Sequence, residues 1–107
     1  MSTSRLDTLL EMYNNDTKDS FIRFALAKEF EKLGDNQLAL EHYTGLKMDD
    51  PEYVGLYYHL AKLLEEMEAS DQAMKVYIEG IAVAKKQKDF HALAELNNAK
   101  TNLEMEL

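Results

Sequence analysis

Cysteine and tryptophan are absent from the 107 residues, and there is a single proline with four glycines. Without thiols, neither a disulfide framework nor a thiolate metal site is available. So little proline and glycine excludes the turn-rich pattern of an all-β protein. No run approaches the roughly 18 apolar residues of a membrane-spanning helix. The opening residues, MSTSRLDTLLE, lack the apolar stretch of a secretory leader, so a cytoplasmic protein is expected. A basic excess is missing too: 20 acidic against 12 basic residues leave a net charge of −8. Polyanionic nucleic acids and anionic membranes call for a basic patch, and neither is an expected partner. The one local cluster, Lys85, Lys86 and Lys88, sits at the end of a helical segment, where cations complement the helix dipole.

Catalytic groupings are equally scarce. There is no glycine-rich phosphate loop and no nucleophile elbow, and the serines fall at the terminus or at helix caps (Ser2, Ser4, Ser20, Ser70). His42, His59 and His91 fall on three different helical segments, and no pair has the i, i+4 spacing of a helical metal site. Glu65, Glu66 and Glu68 read as a solvated helix face. No enzymatic activity, cofactor or metal is expected.

What the chain does have is helix formers and a repeat. Ala, Leu, Glu, Lys, Gln and Met dominate, and 46% of residues are hydrophobic, which suits a packed all-α domain. FALAKEFEKLGDNQLALEHYTGL (24–46) returns 34 residues later as YHLAKLLEEMEASDQAMKVYIEG (58–80). A fixed period of this size marks stacked supersecondary units.

Six helices follow from the pattern. Ser4 caps the first, with Leu6, Leu9, Leu10 and Tyr13 at i, i+3, i+4, i+7. Asp19 or Ser20 caps the second, which carries Phe21, Phe24, Ala25, Leu26, Ala27, Phe30 and Leu33 on more than one face. Gly34 ends it by taking the left-handed conformation. Asp35 or Asn36 caps the third, with Leu38, Ala39, Leu40, Tyr43 and Leu46 inward, and Asp50-Pro51 stops it. The fourth is expected from about Glu52 to Met67, with proline in its first turn. Glu68-Ala69 replaces Gly34-Asp35 there, so the turn needs another left-handed residue or must loosen. Ser70 or Asp71 caps the fifth, which runs on to about Gln87 for want of a closing proline. The sixth spans Asp89 to Leu107, with Leu93, Leu96, Ala99 and Leu103 inward and a polar outer face that ends the stack.

The repeat resembles the tetratricopeptide repeat. The residues that carry the resemblance are Ala27 with Ala39, Ala61 with Ala73, Gly80, the aromatics Phe30, Tyr43, Tyr57 and Tyr77, and the Asp50-Pro51 stop. Small residues at a helix crossing let two backbones approach; the aromatics fill the space between units. Arg23 stands where this family has a large aromatic residue, and Leu46 replaces a small one.

The resemblance implies an all-α, right-handed solenoid of antiparallel helix pairs and a single domain over 1–107. Within it, 1–19 would be an N-terminal half-repeat helix, 20–53 and 54–87 two repeats, and 88–107 a capping helix. It further implies a non-catalytic protein–protein interaction module that binds a peptide or helix of another protein in a concave groove. Phe21, Phe24 and Lys28 would line the groove, with Tyr58, His59 and Lys62 from the fourth helix and His91 and Glu95 from the sixth. Partner identity is open at this point. A structural role by self-association is the alternative, through Leu6, Leu9, Leu103, Met105 and Leu107 as apolar edges.

Overall fold

The computed structural model describes residues 4–107, and Met1 to Thr3, the start of the leader reading, lie outside the described residues. Within them the backbone forms six helices: α1 (Arg5–Asn15), α2 (Ser20–Lys32), α3 (Asn36–Asp49), α4 (Gly55–Glu66), α5 (Ser70–Gln87) and α6 (Phe90–Glu106). No strand occurs among the described residues, as expected of the all-α class. No helix among them is long and apolar enough to cross a membrane. The chain divides into two compact units at Asp50-Pro51.

In the first unit α2 packs on α1 and α3. Leu26, Ala27, Ala39, Tyr43 and Leu46 are fully shielded, so the two alanines occupy the α2–α3 core as their size suggested. Ile22 and Leu9 join that core, whereas Phe21, Leu33 and Leu38 do not. Leu38 was expected inward. It comes two residues after the helix begins and remains 36% exposed, with Ala39 taking the buried place. Arg23, at the family's aromatic position, lies over Gly45 and pairs with Asp49 at 2.8 Å. A guanidinium paired with a carboxylate thus stands where the family has a ring.

In the second unit α4 packs on α5, α5 on α6, and α6 also reaches α4. Leu56, Leu63, Ala61, Ala73, Tyr77 and Ala84 are fully buried, with Tyr57, Leu60, Leu96 and Leu103 nearly so. The buried state of Leu9 and Leu103 removes two of the five side chains offered above as edges for self-association. Met105 and Leu107 stay exposed.

Two helix starts differ from expectation. α4 begins at Gly55 rather than Glu52, and Pro51 sits in a separate turn. Side chains hold that turn out of the helix: Tyr57 Oη donates to the Pro51 carbonyl at 2.6 Å, and Lys86 pairs with Glu52 at 3.0 Å. Those bonds from Lys86 and then Gln87 hold the Glu52 carboxyl below the usual carboxylate range. Neither Ser70 nor Asp71 caps α5. Ala69 takes the cap position without a side-chain bond, since a methyl group has no oxygen to accept one, and its N–H turns back to the Leu64 carbonyl at 2.8 Å. The other caps follow their residue types, with Ser4, Asp19, Asp35 and Asp89 each accepting a backbone N–H three residues on.

Three helices close with one motif. Asp35 N–H reaches Phe30 O at 2.9 Å, Ala69 N–H reaches Leu64 O at 2.8 Å, and Asp89 N–H reaches Ala84 O at 2.9 Å. Each needs a left-handed residue just before the donor, and Gly34 (φ 84°), Glu68 (φ 62°) and Lys88 (φ 57°) supply it. The second repeat therefore finds its left-handed residue in Glu68 and does not loosen. A side chain in that conformation costs about 1–2 kcal/mol. Glu68→Gly is accordingly expected to raise stability by about 0.5–1 kcal/mol after the added flexibility of the unfolded chain is set against it. Urea denaturation measures this; a loss of stability would contradict it.

Candidate functional site

Helix α2 presents Phe21, Phe24, Lys28 and Lys32 along one side, spaced so that successive turns bring them into line. Arg5, at the start of α1, leans across and pairs with Glu29 at 3.4 Å. Together these residues and Ala25 line a cavity of about 360 Å³ in the first unit. Phe24 is half-buried, tilted against Tyr43 with ring centres 6.2 Å apart, and Lys28 Nζ stands 5.3 Å from its centroid. Phe21 is 67% exposed beside it. Three of the residues expected from sequence are thus brought together in one concavity.

Arg5 and Glu29 were not anticipated. Glu29 is the only buried charged side chain among the described residues. A signal for it was present, since Ala25 and Glu29 are i, i+4 neighbours between Phe21 and Lys32 on the same side of α2. Nothing in the spacing of α1 indicated that Arg5 would reach it.

Behind the lining, Tyr43 Oη donates to Glu31 at 3.0 Å, and 34 residues later Tyr77 Oη donates to Glu65. Each bond ties the second helix of a pair to the first from inside the core. Burial pushes both phenols well above their usual 10, with the glutamate's charge and hydrogen bond adding in the same direction. His42 stacks on Phe30 (5.3 Å, 20°) and meets the edge of Tyr13 (5.8 Å, 83°). Its pKa falls below the usual imidazole value through burial, then through Arg23, against a smaller opposing pull from Glu41.

In the second unit Tyr58 and His59 are half-buried neighbours on α4, with rings edge to face at 5.5 Å. Lys62 is exposed one turn on, 3.9 Å from Glu65. His91 and Glu95 are exposed on α6, which packs against α4. Among the described residues no group of histidines and carboxylates is arranged to hold a metal ion.

No protein-family model and no curated protein matches the sequence. Solved structures do. The crystal structure of a tetratricopeptide repeat domain protein from Salinibacter ruber is 42% identical, over 80% of this chain and 97% of its own, with TM-score 0.78. The chain belongs to the tetratricopeptide repeat family. A solution structure of a tetratricopeptide repeat domain protein from the same organism agrees, at 42% identity over 83% of this chain and 90% of that one, with TM-score 0.80. PcrH, solved in complex with the chaperone binding region of PopD, shares the fold alone. It has TM-score 0.87 at 17% identity, over 94% of this chain and 77% of its own. The tetratricopeptide repeat places of Ala27, Ala39, Ala61, Ala73 and Gly80 are all buried here, which is what close helix crossing requires.

Proposed function

We propose that the protein is a non-catalytic interaction module that binds a peptide or helix of a partner protein. Contact would be made by Phe21, Phe24 and Lys28 in the first unit, and by Tyr58, His59, Lys62, His91 and Glu95 in the second. The observation that carries this reading is the cavity of about 360 Å³ on which Phe21, Phe24 and Lys28 converge. An exposed aromatic beside a half-buried one gives a partner side chain an anchor, and aromatic anchors dominate binding energy at interfaces. The fold shared with PcrH, whose structure holds a segment of another protein, adds support.

Phe21→Ala is the most direct test, because a side chain 67% exposed contributes little to folding. Capture of partner proteins from the source cell is expected to weaken by about 1–3 kcal/mol with Phe21→Ala or Phe24→Ala. Helicity by circular dichroism should stay unchanged for Phe21→Ala. Undiminished capture by both variants would remove the proposal.

A further inference from the structure

The cavity on the first unit has a charge opposite to that of the chain. Arg5, Lys28 and Lys32 stand in its lining against one carboxylate, Glu29, in a protein of net charge −8. Glu29 is 7% exposed and already engaged by Arg5 at 3.4 Å, so it adds little negative field at the mouth. Arg5 itself remains 65% exposed at its side chain after making that pair. Lys28 and Lys32 are also exposed, and Lys28 holds its ammonium over the Phe24 ring. Apolar surface and positive charge therefore coincide within one concavity of about 360 Å³, a size that admits one or two side chains.

We infer that this cavity takes an acidic segment of a partner protein, one in which an apolar side chain has Asp or Glu close beside it. The apolar group enters between Phe21 and Phe24, and the carboxylates meet Lys28, Lys32 and the exposed part of Arg5. Complementary charge of this kind selects among partners and suppresses those of the wrong sign. The inference runs against net charge, which by itself would favour a basic partner. Screening makes the local arrangement decisive: at physiological salt, exposed charges more than about 8–10 Å away are largely screened, so a ligand in the cavity meets the cations around it. The inference rests on the interaction reading above and narrows the chemistry of the partner.

Three fluorescein-labelled peptides of equal length test it, with leucine alternating with glutamate, with glutamine or with lysine. Binding to the full chain is followed by fluorescence anisotropy, and the site by amide shifts in the NMR spectrum. The leucine–glutamate peptide is expected to bind tightest and to shift amides of α1 and α2. Lys28→Gln with Lys32→Gln should weaken that peptide about tenfold and the leucine–glutamine peptide far less. Both lysines are exposed, so the double variant keeps its fold. Tightest binding by the leucine–lysine peptide overturns the inference, as does a double variant that binds like the wild type, or binding of none of the three. Each of these is distinct from failure of the broader reading, which is decided by whether partner capture depends on Phe21 and Phe24.

Discussion

Gly80→Ala should destabilise the second unit by about 1–3 kcal/mol, and Gly80→Val should prevent it from folding as it does. An added Cβ at Gly80 would stand 2.5 Å from the Cβ of Tyr57, 3.0 Å from its Cγ and 3.2 Å from Leu96 Cδ1. The nearest obstacle is thus the root of a side chain on α4, which moves only if the helix moves. Alanine is favoured over glycine in a helix by about 1 kcal/mol, and overpacking a core costs about 1–3 kcal/mol and sometimes more. The clash at a Cβ root belongs at the upper end of that range, so the net effect is a loss. Gly45 is the control. A Cβ there meets only the Nη2 end of Arg23, at 3.0 Å, and a long side chain can swing aside. Gly45→Ala is expected to lie within about 0.5 kcal/mol of wild type. Urea denaturation of the two variants in parallel measures the difference, and equal stabilities would show that the α4–α5–α6 crossing is looser than its geometry.

Gly80 also marks how far a sequence reading reaches. The 34-residue period, the small residues at 27, 39, 61 and 73 and the left-handed turn at Gly34 were legible because each follows from local chemistry repeated at a fixed interval. Arg23 was legible only as a departure. Its compensation by Gly45 and Asp49 comes from a second helix, and no periodicity of α2 reports on it. The start of α4 was missed for a related reason. Proline is suited to a first helical turn, but hydrogen bonds from Tyr57, Lys86 and Gln87, some of them 34 and 35 residues away, fix the Pro51–Glu52 turn instead.

The candidate site divides along the same line. Phe21, Phe24 and Lys28 could be placed together through the tetratricopeptide repeat resemblance, and they do share a cavity. Its electrostatic character could not, since it depends on Arg5 from α1 neutralising the buried Glu29. Net composition gives a charge of −8, while the cavity lining carries three cations against one carboxylate. A pattern read along one helix gives the residues of a site; the charge a ligand meets there is set by what the neighbouring helix contributes.

The repeated tyrosine–glutamate bond gives the other large expected effect, because it can be tested twice in one molecule. Tyr43 and Tyr77 are fully buried, 34 residues apart, and each joins its helix to a glutamate twelve residues earlier. Tyr43→Ala and Tyr77→Ala should each cost about 3–5 kcal/mol, the range for losing a buried aromatic side chain. Tyr43→Phe and Tyr77→Phe keep the ring and remove only the hydroxyl, so each should cost about 1 kcal/mol. The pH dependence separates the two contributions. Both phenols have folded-state pKa values raised above the unfolded value of about 10, so each stabilises the neutral, folded form. Below that value they add no pH dependence. Above it the unfolded chain loses the proton first, and stability falls by about 1.4 kcal/mol per pH unit for each tyrosine until the folded phenol also ionises. The double variant Tyr43→Phe, Tyr77→Phe should therefore start less stable at neutral pH yet lose stability more slowly above about pH 10. Denaturation midpoints measured across that range would show two lines converging. Parallel lines would mean that the hydroxyls are open to solvent, and that the ring packing alone joins each helix pair.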